Sequence, residues 1–350
     1  MKAKEILKKL VSYNTIADEQ NTEIMNFIEE YLKKYNFKIE RIEKCLIAYN
    51  DINSNIGFIG HTDTVPYSSW DGDPFTIQEK GKRLIGLGAC DMKGGIAAIL
   101  YCISKLDLSK NKILLYFTNG EETGFKGIKT IKDKIRPNNI IIGEPTNNIP
   151  IYGTKGVIEL SIEFYGVKCH SSTPDKGTNA IYKCIEFVNK IREYYETKIK
   201  TDIIDDFEIP YTTMNIGIIK GGEYVNSVPE KCELSIDFRI AKKKHLTMIT
   251  NTIKTMLKNY NCKLTIKQYL APNINNNDIS FLEHISTKKQ TKSYLTEGSY
   301  INKSFIILGP GPDTSHQKNE YIEEESLIKS AELYKHIIEY YNSGDDNENC

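Results

Sequence analysis

The sequence predicts an α/β protein with a mostly parallel central sheet flanked by helices, interrupted by an inserted α+β domain. Three observations carry this. Short continuous apolar runs at 56–60, 112–118, 139–143 and 304–308 each stop at a polar, glycine-bearing turn, as strands buried on both faces do. Near residue 155 the pattern changes, and 157–165 (VIELSIEFY) alternates with period two, the pattern of a half-exposed antiparallel strand. Stretches with apolar residues at helical spacing separate these runs. The expected boundaries are 1–156 for the first part of the main domain, 157–266 for the inserted domain, 267–342 for the second part and 343–350 for a disordered tail.

In order, 3–12 and 20–35 read as helices, 37–48 as a strand, and 50–55 as a turn before the buried strand 56–60. A loop at 67–88 contains a hairpin at 80–82, and 94–106 is a buried helix whose glycines permit close packing. The strand 112–118 leads into NGEETG, 125–135 forms a short helix, and 139–143 (NIIIG) leads into EPT. In the inserted segment, 157–165, 213–219 and 232–240 read as alternating strands, and 179–195 and 246–260 as helices. The strand 157–165 is read as an exposed edge. After 304–308 comes GPGPDTSH, then an amphipathic helix at 324–342 and the polar tail NSGDDNENC.

Composition narrows the function. Lys+Arg and Asp+Glu both number 46, so the basic excess of a nucleic-acid or anionic-membrane binder is missing, and neither partner is expected. Eight cysteines without a C-x-x-C pair read as free thiols of a cytoplasmic protein. The opening MKAKEILKKLVSYN lacks the continuous apolar core of a signal peptide, and no apolar run is long enough to span a bilayer.

The chemistry gathers where the strands end. In open parallel sheets, ligands bind beyond the carboxyl ends of the strands. Here those ends carry His61, Glu121 and Glu122, Glu144 and His316, with Asp91 before a helix. Two imidazoles and several carboxylates form a nitrogen and oxygen donor set suited to zinc, with cobalt or manganese as substitutes. There are too many carboxylates for one tetrahedral ion, whereas two metals bridged by one carboxylate would use them all. Asp63, two residues from His61 on an extended chain, is placed to bond the ring nitrogen that faces away from a metal. Each residue also has a plain reading: a structural histidine, a solvated Glu-Glu turn, an acid at a helix start. Taken singly the plain readings prevail; the convergence of ligand types at successive strand ends brings the metal reading level with them.

The motifs HTDTVP, GLGACDMKGG, NGEETG, IIGEPT, the run around His170 (GVKCHSSTPDKGTNAI) and LGPGPDTSHQKNEY together resemble the zinc aminoacylase/carboxypeptidase family, in order, over residues 5–340. The resemblance implies a zinc-exopeptidase-like catalytic domain with an inserted lid and dimerisation domain. It implies that His61 and Glu144 hold one zinc, Glu122 and His316 a second, and Asp91 bridges them, with the peptide after Asp91 cis. Glu121 would be the general base, taking a proton from a water acidified toward about pH 7 and passing it to the leaving amine. His170 would polarise the scissile carbonyl, and Asn226 and Arg239 would bind the oxyanion or the substrate carboxylate. The TEGSYI segment, with Gly298, falls where local substrate contacts are expected.

Four local features, the HTDTVP to GLG block, FEIPYTTMNIGIIKGG, TEGSYI and SHQKNEY, most resemble the acetylornithine deacetylases of that family, although Lys318 stands where proline is usual. The resemblance thus implies hydrolysis of N2-acetyl-L-ornithine to L-ornithine and acetate in arginine synthesis. Desuccinylation of succinyl-diaminopimelate in lysine synthesis, or a broader N-acyl-amino-acid hydrolase or dipeptidase activity, are the alternatives. A catalytically dead relative would lack the base or a ligand, and all six positions are filled. A homodimer through the inserted domain is expected, built on 157–165 and the helix 179–195.

Overall fold

The computed structural model describes residues 1–16, 21–67, 69–275 and 290–343. The chain divides into two compact units, one built from Met1–Tyr152 with the chain from Thr296 onward, the other from Gly153–Ile274 with Gln290–Leu295. The short segment after 289 thus rejoins the second unit, whereas the sequence assigned all of 267–342 to the first. Its strand finds a pairing partner there, which local pattern does not reveal.

In chain order, the first unit begins with α1 (Ala3–Val11), α2 (Asn21–Lys33), β1 (Lys38–Ile42), β2 (Cys45–Tyr49) and β3 (Ile56–His61). The hairpin β4 (Gln78–Lys80) and β5 (Arg83–Ile85) follows, then α3 (Lys93–Ile103), β6 (Leu114–Thr118), α4 (Lys126–Ile131) and β7 (Asn139–Ile142). The chain passes into the second unit along β8 (Ile151–Thr154). There it forms β9 (Gly156–Tyr165), α5 (Ala180–Tyr194), β10 (Thr213–Gly221), β11 (Lys231–Ile240), α6 (Lys243–Leu257), β12 (Cys262–Leu270), β13 (Asn273–Ile274) and β14 (Gln290–Lys292). The first unit closes with β15 (Ser304–Ile307), β16 (Tyr321–Glu323) and α7 (Glu324–Ser343). Residues 344–350, most of the expected tail, lie outside the described residues.

The central strands β6, β3, β7 and β15 are adjacent and parallel, with β1 and β2 antiparallel at one side. Alternate residues of these strands feed two cores. Phe58, Leu115, Phe117 and Ile141 pack with apolar residues of α1, α2, α3 and α7. Ile59, Leu114, Tyr116, Ile140 and Ile142 pack with Ile128 and Ile131 of α4. Burial on both faces explains the unbroken apolar runs. Gly95 in α3 matters to the site: a Cβ there would lie 2.0 Å from the Gly143 carbonyl oxygen, so only glycine lets this helix approach the end of β7.

The second unit is a four-stranded antiparallel sheet in the order β10, β11, β9, β12. Ile158, Leu160, Ile162 and Phe164 of β9 share a core with Phe187 and Ile191 of α5 and Ile249 and Ile253 of α6. This corrects the expectation that 157–165 is an edge. β9 is paired on both sides, with β11 and with β12, and the edges are β10 and β12. Period-two alternation reports that one face is covered; it carries no information about pairing.

Candidate metal centre

β3 delivers His61 fully buried at the carboxyl end of the sheet. Its Nδ1 lies 3.0 Å from the backbone carbonyl of Asp63, an acceptor that calls for a proton on Nδ1 and leaves Nε2 as the nitrogen that would face a metal. Nε2 lies 3.2 Å from Asp91 Oδ1 and 3.6 Å from Glu144 Oε1. The Asp63 carboxylate faces the same ring nitrogen, at 3.6 Å, and also accepts from the backbone N–H groups of Glu121 (3.2 Å) and Glu122 (3.1 Å). Asp63 therefore stands at the imidazole nitrogen turned away from the donor group, as expected, and its carboxylate clamps the Glu121–Glu122 turn besides.

That turn follows β6 through Gly120, whose φ of 79° suits glycine. Glu144 follows β7, and Asp91 precedes α3 with a cis Asp91–Met92 peptide. His316 comes from the loop after β15 and adopts φ 61°, in the left-handed region. Its Nε2 lies 3.0 Å from Glu122 Oε1 and 3.6 Å from Asp91 Oδ2.

Among the described residues, donor atoms fall into three overlapping groups whose members lie within 4.8 Å of one another: His61, Asp91 and Glu144; Asp91, Glu122 and His316; His61, Glu121 and Glu122. All five predicted ligands are in the first two groups, which share Asp91 through its two different oxygens. Neutral imidazole nitrogen with carboxylate oxygen suits zinc and its divalent neighbours, so the residues fit a pair of such ions.

The electrostatics point the same way. Burial pushes the Glu144 carboxyl up to about 8, Asp91 adds to the rise, and His61 opposes it. Burial also raises Glu121 well above the usual carboxylate range; the neighbouring Glu144, Glu122 and Asp91 charges reinforce this against His61. For His61, burial would lower its pKa, but Glu144, Asp63 and Asp91 outweigh it and hold it well above the ordinary value. Carboxylates crowded in this way gain from a shared cation.

The remaining predicted residues lie apart in sequence. In the second unit, exposed His170 places Nδ1 2.7 Å from Ser172 Oγ and bridges to Ser227, while the Asn226 carbonyl accepts from the Ser171 N–H at 3.0 Å. Arg239 Nε donates to Asp237 Oδ1 at 2.9 Å, and the pair is about one-third exposed. Gly298 is buried, and a Cβ there would come within 2.6 Å of Ile142 and 2.7 Å of Phe305. Packing thus leaves no room for a side chain at this position.

Three buried charged residues near the site escaped the sequence reading. Glu297 accepts from Thr118 Oγ1 at 2.5 Å, Lys93 donates to the Tyr13 carbonyl at 3.0 Å, and Glu320 accepts from the Cys90 N–H at 3.0 Å. Each stands in a quoted motif, TEGSYI, DMKGG and HQKNEY. That was the available signal; the partners are visible only in three dimensions.

Comparison with known proteins agrees. Residues 57–340 match peptidase family M20/M25/M40. The acetylornithine deacetylase of Photorhabdus laumondii is 31% identical over 379 aligned positions, covering 96% of each protein. A tripeptidase from Staphylococcus aureus superposes with a TM-score of 0.78 at 20% identity over 98% of both chains. A dinuclear metal-binding M20 peptidase from Bacillus subtilis does so with a TM-score of 0.72 at 13% identity, over 97% of this chain and 98% of that one.

Proposed function

The chain belongs to peptidase family M20/M25/M40 and is a metal-dependent hydrolase of the amidohydrolase and peptidase kind; from that premise we propose that it removes the acetyl group from N2-acetyl-L-ornithine, giving L-ornithine and acetate for arginine synthesis. The observation that carries the reading is the pair of three-donor groups sharing Asp91, with Glu121 beside them. The 31% identity to an acetylornithine deacetylase over 96% of the chain supports the choice of substrate.

His61, Asp91 and Glu144 would hold one zinc, and Asp91, Glu122 and His316 the other. Bound there, the pair supplies Lewis acidity toward the amide carbonyl and toward water. Glu121 takes a proton from the attacking water and returns it to the leaving amine nitrogen. The backbone N–H groups of Glu121 and Glu122 donate hydrogen bonds to the Asp63 carboxylate and hold the turn that carries the base. In the second unit, His170 is assigned the carbonyl oxygen and Asn226 the oxyanion, on the strength of their motifs. Arg239, its Nε anchored by Asp237, is assigned the substrate carboxylate. The amide C–N bond breaks, the acyl carbon gains the water oxygen, and the amine leaves protonated.

We assign the second unit the roles of lid and dimer contact, with the surface moved from β9 to the edge strand β10 and to Tyr182 and Ile185 of α5, which are 71% and 50% exposed. Sedimentation as a monomer at micromolar concentration would remove the dimer. The cytoplasm is the compartment that suits the free thiols of the described residues.

The test is amine release by the zinc-loaded protein on N2-acetyl-ornithine and N-succinyl-diaminopimelate in parallel, with a chelator control. A preference of about a hundredfold for the acetyl substrate, abolished by chelation, is the expected result. Preference for the succinyl substrate would move the reaction to lysine synthesis, and inactivity on both would turn it toward dipeptides.

A further inference from the structure

The candidate ligands Asp91 and Glu122 sit on turns, where nothing in a helix or strand ladder fixes the backbone. Each turn is held by a buried carboxylate that belongs to no donor group. Asp63 holds the Glu121–Glu122 turn through two consecutive amides. Glu320 does the same for the turn that carries Asp91. Its Oε1 accepts from the Cys90 N–H at 3.0 Å and lies 3.5 Å from the Asp91 nitrogen.

Glu320 is only 2% exposed, and its own backbone is tied down, since its carbonyl accepts from the Gly86 N–H at 3.2 Å. Burial pulls Lys93, 0% exposed and two residues past Asp91, down to about 7, and the neighbouring Glu320 and Asp63 carboxyls act against that fall. A carboxylate buried here costs several kcal/mol unless hydrogen bonds and a counter-charge offset it, so packing alone gives no reason for a glutamate. What it does is hold two amides.

We infer that Glu320 is a positioning residue for the metal centre: it fixes the Cys90–Asp91 turn so that Asp91 presents Oδ1 to the His61 group and Oδ2 to the His316 group. The inference rests on reading Asp91 as the shared ligand. The two oxygens now stand 3.2 Å from His61 Nε2 and 3.6 Å from His316 Nε2. A turn free to rotate would satisfy one group at the expense of the other. Outer partners of metal ligands are worth about 10- to 100-fold in metal affinity.

Two substitutions in the full chain test this. Glu320→Asp keeps the carboxyl group but draws the acceptor back by one methylene. Glu320→Gln keeps an acceptor oxygen at full reach. Zinc affinity is read by competition with a chromophoric chelator, and the melting temperature of each metal-free protein is read beside it. Glu320→Asp should bind zinc about 10- to 100-fold more weakly, and Glu320→Gln within about threefold of the unaltered chain. The loss in the Asp variant should exceed any ranking in the metal-free melting temperatures. Wild-type-like zinc binding by Glu320→Asp, where the unaltered chain binds two zincs, overturns this inference alone. Equal losses in both variants that track melting temperature also overturn it, since the glutamate would then be structural. An unaltered chain that binds no zinc overturns the reading of Asp91 and this inference with it.

Discussion

Glu297→Gln isolates the energetic consequence of placing a carboxyl beneath the site. Glu297 is 0% exposed; Oε1 accepts from Thr118 Oγ1 at 2.5 Å, and Oε2 meets no partner among the described residues. Burial pushes its pKa from the ordinary 4.5 up to about 7; His61 and the Thr118 bond pull it back, and Asp63 adds to the rise. The fold therefore holds the protonated form. That stabilisation is fully present below the unfolded value near 4.5 and is lost as pH rises through about 7. At about 1.4 kcal/mol for each pH unit between the two values, the loss is about 3 kcal/mol. Glutamine has the same shape, still bonds Thr118 and never ionises. In the metal-free chain the two proteins should have similar unfolding free energies at pH 4.5. By pH 8.5 the glutamine variant should be the more stable by about 3 kcal/mol.

The assay is urea unfolding in the presence of a chelator across that pH range. Equal m-values confirm that the denatured states match. The difference curve should bend near pH 7. A flat difference from pH 5 to 8.5, or a glutamine variant that grows less stable with pH, would refute the account of Glu297 as a carboxyl kept neutral by burial.

Four further substitutions separate the roles proposed around the centre. Glu121→Gln should keep its zinc and lose about 10²- to 10⁴-fold in kcat; substantial residual amine release at full metal content would remove Glu121 as the base. Asp63→Asn turns one amide acceptor into a donor facing an N–H, a mismatch of about 1–3 kcal/mol, so kcat should fall about 10- to 100-fold with zinc content held. Unchanged kcat would dismiss the clamp on the Glu121–Glu122 turn. His170→Ala should lower kcat while metal analysis stays constant, and zinc loss in that variant would contradict a role confined to the carbonyl. Arg239→Ala should raise KM more than it lowers kcat, and unaltered KM would mean another cation holds the substrate carboxylate.

The candidate ligands were legible in the sequence for a geometric reason. A parallel strand buried on both faces has an unmistakable apolar signature, and its carboxyl end is the one place where the chain turns toward a shared crevice. GFIG-H, LLYFTNG-EE and IIIG-E announce both the strand and the residue it delivers. Asp91 was legible because it opens the buried helix. The hidden part consists of residues whose task depends on a partner distant in sequence. Glu297 reaches back 179 positions to Thr118, and Glu320 reaches back 230 to Cys90. Gly298 shows the same limit from the other side. Its lack of a side chain is explained by Ile142 and Phe305 closing on it, and a glycine beside a motif acid reads equally well as a ligand contact. Asp63 was found beside His61, but its second task stayed hidden, because two-residue proximity reveals only local pairing. The amides of Glu121 and Glu122 are 58 and 59 positions away, yet they take its carboxylate. At this site, then, donor identity is a local property of strand ends, while donor orientation is imposed by buried carboxylates across the fold. A substitution at Asp63 or Glu320 should disturb catalysis or metal binding without removing a single ligand.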